Sequence, residues 1–80
     1  MTTLEIARSH RAAIRSMFSA DRYANLMREL GHRIQMVAAK ERKSFLHAAH
    51  EICAENYYPP SMVRCYLAAA AELIEPTQGE

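Results

Sequence analysis

The residues with the most chemical capacity sit in one short run, His47-Ala-Ala-His50-Glu51-Ile-Cys53. On a helix, His47 with His50 or Glu51 falls at i, i+3 or i, i+4. At that spacing two side chains share a face and can grip one metal ion. The order is neither His-Glu-x-x-His nor its inverse, the arrangements of the zinc proteases. Cys53 points roughly 100° away from the histidines, toward the apolar side, and no third ligand stands at a useful spacing. His47 and His50 therefore read as solvent-facing imidazoles that gain charge below about pH 6.5. His10, on an apolar arc, reads as a hydrogen-bonded boundary histidine. No Ser or Cys has a His and an acid at the spacing of an activated nucleophile, and there is no Gly-rich phosphate loop. The expectation is a non-enzymatic protein with no catalytic residue, no metal, no cofactor and no small-molecule substrate.

Binding chemistry is more legible. Nine of the ten Lys and Arg residues lie in positions 1–43, against Glu5, Asp21, Glu29 and Glu41, a local charge of +5. Positions 44–80 hold Arg64 against five glutamates, a charge of −4. The net +1 thus conceals two electrical ends, and a local field is what selects partners and sets encounter rates. At helical spacing the cations form two stripes. Arg8, Arg11 and Arg15 make the first. Arg33, Lys40 and Lys43, extended by His47 and His50, make the second. Such stripes suit an acidic protein surface or a phosphate backbone, or they are solvated faces. Eight of the ten cations are Arg, whose planar fork grips carboxylate and phosphate bidentately.

Two further features bear on partners. In Tyr23–Lys40 a Leu-Gly pair (Leu30, Gly31) followed six residues later by Val37 partly fits a helix-turn-helix at about 21–40. It would turn Arg33, Gln35, Met36 and Lys40 toward DNA, in a dimer. His32 after the Gly, Met27 where a small residue is wanted, and Lys40 at an apolar position depart from the pattern. Tyr57-Tyr58-Pro59-Pro60 sets two adjacent tyrosines before a rigid pair, and Tyr is enriched where interfaces bury area at low entropic cost. The plainer alternative is one Tyr on the core and one exposed.

These groups must be held by helices. Low Gly with abundant Ala, Arg, Glu and Leu predicts an all-α fold, a single domain at this length. Four segments follow from apolar periodicity and caps. The first spans about 4–18, opened by a capping box of Thr2 and Glu5. Its apolar arc holds Leu4, Ile6, Ala7, Ala13, Ile14, Met17 and Phe18. The second spans about 21–30, capped by Ser19 or Asp21 and closed by Gly31. The third spans about 33–55. Glu41 falls in the middle of its apolar face, so either it is paired there or the helix breaks at Lys40–Ser44, with Ser44 capping a new start. Continuity is the favoured reading, because residues 40–43 carry no stop signal. The fourth spans about 62–75, opened by Ser61 after the Pro pair and stopped by Pro76, with a frayed tail over 76–80. Fourteen alanines point to helices packed closely through small residues. With no long apolar run and two cysteines, the expected setting is cytoplasmic, away from membranes, with Cys53 and Cys65 reduced.

The leading expectation is a regulator, adaptor or inhibitor that meets an acidic protein surface through Arg8, Arg11, Arg15, Arg33, Lys40 and Lys43, with Tyr57 and Tyr58 as anchors. DNA binding is the alternative. A self-assembling protein or homodimer pairing its basic and acidic ends is the second, and size alone fits a mobile-element accessory protein.

Overall fold

The computed structural model describes residues 1–76, and the expected fraying of 77–80 lies outside them. Four helices account for most of the chain: α1 Thr3–Met17, α2 Ala20–Glu41, α3 Phe45–Glu55 and α4 Pro60–Ile74. The all-α bundle is as expected, but two boundaries in its middle are not.

Helix α2 runs straight through Gly31. Tyr23, Met27, Leu30, Ile34 and Ala38 are all buried and recur every three or four residues across it. One unbroken apolar face outweighs the roughly 1 kcal/mol that Gly costs inside a helix. The expected turn at Gly31 therefore does not exist, and with it goes the helix-turn-helix at 21–40. A Cβ at Gly31 would stand 3.5 Å from Leu73 Cδ2, ordinary contact, in a helical backbone. Gly31→Ala should thus raise stability by about 0.5–1 kcal/mol, read from urea unfolding. A loss would point instead to a left-handed residue at this position.

The break comes at Glu41, the weaker of the two readings for that segment. A continuous helix would carry Glu41 into the apolar face between Ala38 and Phe45, and a buried, unpaired carboxylate is costly. Instead Arg42 turns left-handed (φ 56°, ψ 50°) and the Lys43 N–H reaches back to the Ala38 carbonyl at 3.0 Å. Ser44 then caps α3, accepting from the His47 N–H at 3.1 Å. Helix α3 ends in the same way. Tyr57 is left-handed (φ 53°), and the Tyr57 and Tyr58 N–H groups donate to Ala54 and Cys53 carbonyls, a Schellman closure. The expected Thr2–Glu5 capping box is present, and Ser19 caps α2. Ser61 does not cap α4. That helix starts two residues earlier than expected, on Pro60, whose fixed φ and missing donor suit a first turn.

Helix α4 is the hub, packed against all three others, while α1 barely meets α2. Ala68, Ala69, Ala70 and Ala71 are each wholly buried, so α4 is enclosed around its full circumference there. Tyr66 and Ile34 are the largest fully buried side chains. Since α1 leans on α4 alone, only one edge of its apolar arc is covered. Ala7 and Ile14 are buried, whereas Ile6, Ala13 and Met17 of the expected core stay exposed. No helix is long and apolar enough to cross a membrane among the described residues.

Candidate docking surface

The first basic stripe is engaged by groups of the same chain. Arg8 Nε and Nη2 donate to the two carboxylate oxygens of Glu75 at 2.7 and 2.5 Å. Arg11 Nη1 donates to the main-chain oxygens of Glu75 at 2.6 Å and Ala71 at 3.3 Å. Its guanidinium also lies 3.7 Å from the Glu75 carboxylate and 4.0 Å from that of Glu72. Those carbonyls lie at the C-terminal end of α4, where the helix dipole favours a cation, and the Ala71 carbonyl also accepts from the Glu75 N–H at 2.8 Å. Arg15 stands over the Tyr23 ring, 5.9 Å from its centroid. The Tyr23 hydroxyl donates to Glu72 at 2.8 Å. Burial, then that bond, pushes the Tyr23 phenol well above its ordinary range. A stripe read as a docking face thus fastens α1 and α2 to the end of α4, and the acidic end expected to pair between copies pairs with Arg8 and Arg11 inside one chain.

The second stripe is divided by the turn at 42–44. Arg33 and Lys40 stay on α2. Lys43 leaves it and bridges Glu41 at 3.0 Å and Glu51 at a shorter contact, tying α2 to α3. His47 and His50 sit exposed on α3, and among the described residues no three His, Cys, Asp or Glu side chains converge as a metal group. Cys53 is buried and Cys65 half-buried, and burial pushes both thiols up, away from the reactive thiolate.

These bonds set an acid limit on stability. The bonds from Arg8 hold the Glu75 carboxyl below the ordinary 4.5 of a glutamate, Lys43 does the same for Glu51, and the Thr2 backbone for Glu5. A carboxyl depressed on folding stabilises the fold above its unfolded pKa, and that contribution is lost as pH falls through the folded value. Melting temperature should be flat from pH 6 to 8 and drop by several degrees between about pH 4.5 and 3. Circular dichroism melts across that range are the check.

What remains outward is a surface on α2. As one helix of 22 residues, about 33 Å long, α2 spans the molecule's longest dimension of 32 Å. Arg22, Arg33 and Lys40 stand within about 20° of one another on it, because 11 and 18 residues are near-whole numbers of turns. Met36, 59 % exposed, stands about 40–60° round the helix from them, whereas Arg28 and Gln35 are exposed on another side, about 120–160° away. Arg33 pairs with Glu29 at 3.3 Å, and Arg28 bonds Asn25 at 2.9 Å. Arg22 and Lys40 have no ion pair among the described residues. Arg33 Nη1 also donates to the Tyr66 hydroxyl at 3.1 Å, and the Tyr66 ring stacks on Tyr58 with centroids 5.7 Å apart. That chain of contacts sets the Tyr57–Tyr58 turn beside Arg33. Tyr58 packs against the core, but Tyr57 is 92 % exposed in a left-handed conformation. Of the expected partner residues, Arg33 and Lys40 share the outer face of α2, Tyr58 is linked to Arg33 through Tyr66, Tyr57 is exposed in the adjoining turn, and Arg8, Arg11, Arg15 and Lys43 make contacts within the chain. Arg22 was not expected here. Its alignment with Arg33 and Lys40 is legible only once residues 20–41 are one helix.

No protein-family model matches this chain, and neither the curated proteins nor the solved structures contain a match.

Proposed function

We propose that the chain is a non-enzymatic docking protein, a regulator, adaptor or inhibitor that meets an acidic protein surface through the outer face of α2 and the Tyr57 turn. The observation that carries this reading is Tyr57, a ring 92 % exposed on a left-handed backbone, in the turn whose next residue, Tyr58, stacks on the Tyr66 ring that accepts from Arg33. A left-handed non-Gly residue costs about 1–2 kcal/mol, and strain of that kind gathers where function over-rides stability. Arg22 and Lys40 supply unpaired charge, and Met36 supplies apolar area, along the same helix.

Tyr57→Gly should accordingly raise stability by about 0.5–1 kcal/mol, since it relieves the backbone and removes almost no contact. The same variant should weaken partner capture. The wider test compares wild-type bait with Arg22→Glu/Met36→Glu/Lys40→Glu in quantitative pull-downs with and without nuclease, alongside binding to a labelled 20-base-pair duplex at about 50 mM salt. Expected is nuclease-resistant capture of an acidic protein, lost in the triple variant with circular dichroism unchanged. Equal capture by both baits refutes the α2 surface. Nuclease-sensitive capture with salt-dependent duplex binding transfers that surface to nucleic acid.

A further inference from the structure

At the end of α2 far from Tyr57, a half-open cleft of about 600 Å³ lies where α1, α2 and α4 meet. Its size falls within the roughly 300–1,000 Å³ of pockets that take small ligands. Its walls are mixed, with an apolar part made by Met27, Leu73, Ala24 and Ala69, and by Phe18 and Ala20 at the α1–α2 turn.

The polar groups in it are unequal. Glu72 and Tyr23 are both present, but the Tyr23 hydroxyl donates to Glu72 at 2.8 Å and Arg11 approaches Glu72 at 4.0 Å. Glu72 is therefore already compensated and would not recruit a cation. Arg15 is engaged over the Tyr23 ring. Arg28 is different. It lines the cleft, and its one side-chain hydrogen bond among the described residues is to neutral Asn25 at 2.9 Å. The Ser19-capped first turn of α2, with Ala20 on the cleft wall, adds the positive end of a long helix dipole. Asp21 is on that turn but does not line the cleft. The site is a partly apolar trough with one uncommitted guanidinium and a net positive surround.

We infer that this cleft binds an amphipathic carboxylate, its apolar tail laid over Met27 and Leu73 and its head group on Arg28. The tail displaces water from the apolar part of the walls, and the guanidinium fork receives the carboxylate in a charge-assisted pair. The site is independent of the α2 docking surface, and its test does not depend on any protein partner.

The probe is sodium decanoate, kept below micelle-forming concentration and titrated into uniformly ¹⁵N-labelled protein. Expected are saturable amide shifts centred on residues 18–28 and 69–73, with little change at Tyr57. Arg28→Glu should weaken decanoate binding about tenfold or more, as loss of a charge-assisted bond implies, while binding of decanol, which lacks the charge, changes little. Ala24→Phe fills the cleft from an exposed position and should abolish binding of both. Melting curves establish that each variant is folded, and shift mapping on the wild type stands without them. Absence of saturable shifts overturns the inference, as do shifts that persist in Ala24→Phe or decanoate binding untouched by Arg28→Glu.

Discussion

Replacing Ala70 by Leu should destabilise the protein by about 3 kcal/mol, enough to leave it partly unfolded near physiological temperature. Ala70 is wholly buried within four consecutive wholly buried alanines on α4, and α1, α2 and α3 all pack against that helix. A helix enclosed on every side has no direction in which a larger side chain can move, so the added atoms must push a neighbouring backbone. Cores filled to crystal density absorb such insertions poorly. A chain of this length has about 4–12 kcal/mol in total at the usual stability per residue, so the loss would be a large share. Urea unfolding of Ala70→Leu beside Ala12→Leu, on the exposed side of α1, isolates enclosure from helix propensity. Only the first should lose stability, and equal behaviour would show α4 to be less tightly surrounded.

That enclosure explains which parts of the fold could be read from the chain. Helix content, the Thr2–Glu5 box and the Ser19 and Ser44 caps are local properties, carried by residues a few positions apart, and they were legible. Gly31 was misleading because a Gly after Leu30 is compatible with both a cap and a helix interior. The choice depends on what Leu73, 42 residues away, offers to that face. Glu41 carried the opposite signal. An acid in an apolar stripe argues for a break, and its conflict with the helix-forming Lys40–Lys43 was decided by burial cost over propensity. The contacts of the stripes were hidden for a related reason. Helical spacing puts Arg8, Arg11 and Arg15 on one side, but whether that side meets water or the end of α4 is a tertiary fact. The opposite charges at 72 and 75 were visible in sequence, and the hint lay in their matching Arg8 and Arg11, not in the excess of either sign.

Arg11 should therefore matter to the fold more than any surface arginine. Its side chain is largely covered, at 20 % exposure, and it combines two carbonyl bonds at the α4 terminus with two nearby carboxylates. Arg11→Ala leaves the Ala71 and Glu75 carbonyls without that donor and Glu72 without one of its cations. Charge-assisted bonds of this kind support an expected loss of about 2 kcal/mol, or about 10 °C in melting temperature for a domain of this size. Arg11→Lys keeps the charge but not the fork, so it should recover only part of the loss. Arg8→Ala should cost less, because the Arg8–Glu75 pair is more exposed and salt-screened. The two can be separated by melting in low and high salt. The Arg8 contribution should fade with salt, whereas the Arg11 contribution, directed at partly covered main-chain oxygens, should largely persist. If Arg11→Ala melts with the wild type, the basic half of this chain does not close the fold, and Arg11 returns to the pool of cations available for docking.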